Sequence, residues 1–116
     1  MKEKIFILED LPERQNAFKK KFQNWEIKLV DNVKEAIEIL QDEKFDLIYL
    51  DHDLEGKCGV DINDPNCGSR VAEFLANIDF KGRVICGSLN PEGARNIMRI
   101  LPNAEYKSGY WEMEII

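Results

Sequence analysis

The amino-acid sequence predicts an α/β protein: a five-stranded parallel sheet with helices packed on both faces. Two observations carry this expectation. Short continuous apolar runs, as strands buried on both faces require, alternate with stretches whose apolar residues recur at helical spacing. The alternation repeats as βαβαβαβαβ, a pattern that builds a parallel sheet through right-handed crossovers. The chain of 116 residues is long enough for one compact domain with a real core and too short for two.

The elements follow in order. Lys4-Ile5-Phe6-Ile7-Leu8 reads as the first buried strand. Asp10 and Pro12 then open a helix over about residues 13–23, with Phe18 and Phe22 one turn apart on it. Glu26 to Val30 is the second strand. Asn32 and Glu35 form a capping-box pair, and Val33, Ala36, Ile37 and Leu40 mark the buried face of the helix that follows. Asp46 to Leu50 is the third strand, and a polar, turn-rich loop runs from Asp51 to about Gly68. Val71, Phe74, Leu75 and Ile78 define a third helix, and Arg83 to Cys86 a fourth strand. Asn90-Pro91 starts a fourth helix lined by Ala94, Ile97, Met98 and Leu101. Ala104 to Lys107 reads as the fifth strand. The tail from Tyr110 to Ile116 suits either strand or helix.

Composition narrows the function. No stretch approaches the run of about 18 apolar residues that a membrane span needs. The apolar segment after Lys4 is too short for a secretory signal core, so a cytoplasmic address and no membrane partner are expected. A formal net charge of −6 opposes sequence-independent binding of nucleic acid, which relies on Lys and Arg to neutralise phosphates. Lys19-Lys20-Lys21 reads as a solvated helix face. Three cysteines are an odd number and lack zinc-type C-x-x-C spacing. Cys58 and Cys67 flank one loop and can pair under oxidation, but free thiols are the expectation in a reducing compartment. Cys86 reads as a small buried core residue.

In a sheet of this type ligands bind beyond the carboxyl ends of the strands, near a topological switch point. Glu9 and Asp10 follow the first strand; Asp51, His52 and Asp53 follow the third. Gly87, Ser88 and Asn90 follow the fourth, and Lys107 the fifth. If the first and third strands are neighbours, up to four carboxylates converge. Two such charges about 4 Å apart repel by roughly 4 kcal/mol at an effective dielectric near 20. Protonation or a cation relieves that, and hard oxygen ligands suit Mg²⁺ or a similar ion such as Mn²⁺. Opposite them, Ser88 and Asn90 precede a helix whose free N–H groups favour an anion, although Asn90 also serves as a plain cap. Lys107 offers a point charge to a phosphoryl oxygen. Metal, hydroxyl and ammonium around one carboxylate suit phosphoryl chemistry, which depends mostly on positioning and charge neutralisation. His52, the only histidine, can shuttle a proton near neutral pH or merely orient its neighbouring carboxylate. Asp51-x-Asp53-x-Glu55-Gly56 imitates an EF-hand start, but Ile62 stands at the twelfth position where Glu is needed.

The arrangement resembles the receiver domain of two-component response regulators, a flavodoxin-like fold. There an acidic pair holds Mg²⁺, an Asp after the third strand accepts phosphate, and a Ser or Thr and a Lys complete the site. Glu9, Asp10, Asp51, Ser88 and Lys107 match those positions, although Ser108 stands where a Pro is usual. Four details resemble one branch, the cyclic-phosphate-processing receivers. They are Leu8-Glu9-Asp10 followed by Arg14; Leu50-Asp51-His52-Asp53-Leu54; Gly68 opening the third helix; and Gly87-Ser88-Leu89-Asn90-Pro91-Glu92-Gly93. The resemblance implies Glu9, Asp10 and Asp51 at a metal, with Asp51, His52, Asp53 and Ser88 as the catalytic set. It also implies Arg14, Ser88, Asn90 and Lys107 on a phosphate-containing small molecule such as a nucleotide. That branch usually carries His before the Ser, where this chain has Gly87, so turnover and binding alone both stay open. The alternative it implies is a stand-alone receiver phosphorylated on Asp51, acting on a protein signalling partner.

Overall fold

The computed structural model describes residues 2–54, 56–109 and 111. The elements run β1 (Lys4–Leu8), α1 (Pro12–Lys21), β2 (Glu26–Val30), α2 (Val33–Asp42), β3 (Leu47–Leu50), α3 (Gly68–Asn77), β4 (Arg83–Cys86), α4 (Pro91–Ile100) and β5 (Glu105–Tyr106). All five strands are parallel, in the order β2-β1-β3-β4-β5. The order reverses between β1 and β3, and that reversal positions the site. The expected elements are all present with small shifts. Helix α1 starts at Pro12 and stops at Lys21, two residues early, and the fifth strand is confined to Glu105 and Tyr106. Of the tail expected to be strand or helix, only Trp111 lies within the described residues.

Why the strands read as unbroken apolar runs is visible in the packing. Side chains alternate across a strand, and both faces of this sheet are covered. Phe6, Leu8, Ile48, Leu50, Val84 and Cys86 point into a core shared with residues from α2, α3 and α4. Ile5, Ile7, Leu47, Tyr49 and Ile85 point the other way, onto Phe18 of α1, Phe22 just after it and Trp111. The Tyr49 ring lies 4.5 Å from Phe18 and 6.4 Å from Trp111, centroid to centroid. Strand β2 is an edge, and its exposed Glu26 and Lys28 are what an edge tolerates.

Helix starts follow their local chemistry. The Asn32 side chain accepts the Glu35 N–H at 2.9 Å, and Asn90 accepts that of Gly93 at 3.1 Å. Pro12 and Pro91 occupy first-turn positions where a missing N–H does no harm. Lys19 and Lys20 are exposed in the last turn of α1, favourably placed against its dipole. Among the described residues no helix is long and apolar enough to cross a membrane.

Candidate functional site

The register of β1 against β3 pairs Leu8 with Leu50, so the residues that follow each strand emerge side by side. Glu9 donates its N–H to Val30, and Asp51 donates its own to Leu8. These bonds continue the sheet for one residue and fix where both carboxyl groups point. Carboxylate oxygens of Glu9, Asp10 and Asp51 all lie within 4.8 Å of one another. Three of the up to four acids expected at the switch point therefore converge, and Asp53 stands outside the cluster.

This cluster is sunk in the protein. Glu9 is fully buried and Asp51 2% exposed, which makes ionisation costly. Burial, then the facing Asp51 carboxylate, pushes Glu9 up to about 8. Burial also raises Asp51 to about 6, against the opposing contributions of Glu9, the His52 N–H and Arg14. Glu9 Oε2 accepts the N–H groups of Asp10 and Leu11, whereas Oε1 has no hydrogen-bond partner among the described residues. Arg14 is the nearest cation, its Nη1 lying 3.8 Å from Glu9 and 3.9 Å from Asp51. Its guanidinium stacks 4.2 Å above the Trp111 ring. One guanidinium at these distances does not neutralise three carboxylates. A buried acceptor left open beside two further carboxylates fits a hard divalent cation held by Glu9, Asp10 and Asp51.

A cavity of about 360 Å³ opens from this cluster. Asp10, Arg14, Asp51 and Asp53 form its polar wall, and Leu11, Leu89 and Pro91 an apolar rim. Residues 56–59 close the remaining side. The sequence leaves open whether the loop from Leu54 to Cys67 orders over the site as a lid or stays mobile, and it does not single out Lys57 as a wall residue. The one cue was Gly56 and Gly59, both with positive φ, which allow the chain to double back over the cavity.

His52 stands behind this wall, against Asp53. The His52 ring is fully buried, with Nδ1 3.2 Å from Asp53 Oδ1. Since a carboxylate only accepts, Nδ1 carries the proton. Burial opposes the charged imidazole, but the Cys67 sulfur and Asp53 beside it outweigh burial and raise its pKa. Burial would raise Asp53, yet hydrogen bonds from Asn90, His52, Gly59 and Val60 hold it below the ordinary carboxylate range. The first turn of α4 lies directly over the imidazole. A Cβ on Gly93 would come within 2.3 Å of His52 Cγ.

The remaining expected residues are arranged less simply. Asn90 reaches the cavity wall. Ser88 is buried at the end of β4, its Oγ accepting the Asn90 N–H at 3.1 Å. Lys107 continues the sheet by donating its N–H to Cys86, but its side chain is not part of the cavity wall. Gly87, where a histidine was the expectation from resemblance, has a physical reason. A Cβ there would lie 2.3 Å from the Tyr49 hydroxyl and 2.5 Å from its ring, so the tyrosine occupies that space. All three cysteines are free; Cys58 is exposed on the cavity wall and Cys67 and Cys86 are buried.

Comparison with known structures agrees with the fold. The chain is similar to the response regulator TrrA from Thermotoga maritima, solved in complex with Mg²⁺ and beryllium fluoride. The identity is 18% and the TM-score 0.70, over 95% of this chain and 90% of that one. DrrB, a response regulator of the same organism, gives 17% and 0.69; the match covers 95% of this chain but only 46% of DrrB. The Mn²⁺-bound response regulator Rcp1 gives 16% and 0.67, over 91% and 80% of the two chains. No curated protein matches the sequence. Residues 5–103 match the family described as the cyclic-phosphate processing receiver domain, and the chain belongs to that family.

Proposed function

We propose that this receiver domain binds a divalent cation, Mg²⁺ or Mn²⁺, through Glu9, Asp10 and Asp51, and with it a cyclic or nucleotide phosphate. The observation that carries the reading is the under-neutralised trio of carboxylates, Glu9 and Asp51 buried and Asp10 half-buried, beside a cavity large enough for a small organic phosphate. The cation would neutralise phosphoryl oxygens and orient them. The chain's own residues do the rest. Arg14 supplies a positive charge beside Asp51, and the amino end of α4, reached through Ser88 and Asn90, favours an anion. Leu11, Leu89 and Pro91 give the rim an apolar surface for the organic part of the ligand. Lys107 is close in sequence to β5 and would have to swing inward to reach a phosphoryl oxygen.

The test is a panel of cyclic nucleotides offered with Mg²⁺ or Mn²⁺. A thermal shift or turnover with at least one member supports the reading; neither across the panel contradicts it. A second reading is favoured by the similarity to TrrA solved with Mg²⁺ and beryllium fluoride, a phosphoryl mimic. In that reading Asp51 accepts phosphate and the domain switches a protein partner. Acetyl phosphate would then label the protein, and Asp51→Asn would abolish the label.

A further inference from the structure

Four hydrogen-bond donors converge on one carboxylate at the edge of the cavity. Asp53 Oδ1 accepts from His52 Nδ1 at 3.2 Å, Asn90 Nδ2 at 3.0 Å and the Val60 N–H at 3.2 Å. Oδ2 accepts the Gly59 N–H at 2.8 Å. An ionised carboxylate offers about two acceptor sites per oxygen, so Oδ1 is saturated by the protein itself and Oδ2 is partly used.

We propose that residues 56–60 form a flap across the cavity and that Asp53 is the positioning residue that holds it closed. The donors come from three separate parts of the fold. Gly59 and Val60 belong to the flap, Asn90 to the start of α4, and His52 to the end of β3. Asn90 doubles the tie by donating to the Val60 carbonyl at 2.9 Å while its own Oδ1 caps α4 through Gly93. The buried His52 ring, pinned under Gly93, keeps Asp53 from turning away. Val60 is buried at the base of the flap and residues 56–59 are exposed at its tip, so the base is packed into the fold and the tip is held mainly by hydrogen bonds. At the far end Gly56 donates its N–H to Asp10 Oδ2, which makes the tip an outer partner of the carboxylate cluster. A ligand filling the cavity must pass this flap, and Asp53 and Asn90 set how readily it opens.

This inference rests on the proposed function only in taking the cavity as the binding site. It is tested without cation or ligand, by amide hydrogen exchange of Gly59 and Val60. Asp53→Ala and Asn90→Asp should each speed exchange of both amides by about tenfold or more, because each removes charge-assisted tethers. Asn90→Asp retains a good helix cap, so it serves even if Asp53→Ala fails to fold. The exchanged pair, Asp53→Asn with Asn90→Asp, restores a donor facing an acceptor and should recover about threefold or more of the loss. Asp51→Asn, which removes a cation ligand, should leave both amides protected. Exchange at the wild-type rate in Asp53→Ala or Asn90→Asp overturns the proposal, as does an exchanged pair no better than Asn90→Asp alone. Failure of the wild type to bind Mg²⁺ would overturn the functional reading and leave this comparison standing.

Discussion

At the scale of single residues, the chemistry turns on Glu9. Its pKa near 8 and that of Asp51 near 6 mean that the metal-free pair retains a proton at neutral pH. A cation needs both groups ionised, so binding must expel that proton. Mg²⁺ affinity is therefore expected to rise between pH 6 and pH 8. Calorimetry in two buffers of different ionisation enthalpy should register proton release at pH 7. The same shift governs stability. Between the ordinary carboxyl range and about pH 8 the folded state binds the Glu9 proton and the unfolded chain does not. Stability of the metal-free protein should accordingly fall as pH rises through that window. Urea titrations at pH 6 and pH 8 check this, and Glu9→Gln should flatten the slope. Gly87 makes a simpler case. Its missing Cβ is space that Tyr49 fills, so Gly87→Ala should destabilise by about 1–3 kcal/mol. A thermal melt matching the wild type would show that the tyrosine can move aside.

At the scale of elements, helix α4 brings the site and the core into register. Ala is normally the better helix former, and replacing a Gly gains up to about 1 kcal/mol in a helix interior and less in a first turn such as that of Gly93. At Gly93 that gain is opposed by the imidazole of His52 at 2.3 Å from the would-be methyl. Overpacking against a buried ring outweighs propensity, so Gly93→Ala should be net destabilising. Adding His52→Ala should reduce that penalty, and a double-mutant cycle on melting temperature measures the coupling. Helix α2 provides the contrast. Asn32→Ala removes a cap remote from the cavity and should lower stability by about 1 kcal/mol while leaving cation binding unchanged.

At the scale of the whole molecule, most of the architecture was legible because the strands are buried on both faces. Ile5-Phe6-Ile7-Leu8 and Leu47-Ile48-Tyr49-Leu50 have to be apolar throughout, and the helices between them keep clear caps and apolar stripes. The acidic cluster was legible for the same reason, since residues following adjacent strands must meet once β1 and β3 pair. What was hidden depends on tertiary contacts that leave no period in the chain. The return of residues 56–60 over the cavity is held by Asp10, Asp53 and Asn90, none of which is near Gly56 or Val60 on a repeating pattern. The absence of Lys107 from the cavity wall and the reason for Gly87 likewise lie in packing, around β5 and around Tyr49.

The most direct test of the central claim is calorimetric titration of a cyclic nucleotide into the protein, with and without Mg²⁺, beside the same titrations of Asp51→Asn. Saturable binding to the wild type that requires Mg²⁺ and disappears in Asp51→Asn is the predicted result. Binding that is indifferent to Mg²⁺ and to Asp51, or no binding by any member of the panel, would contradict it.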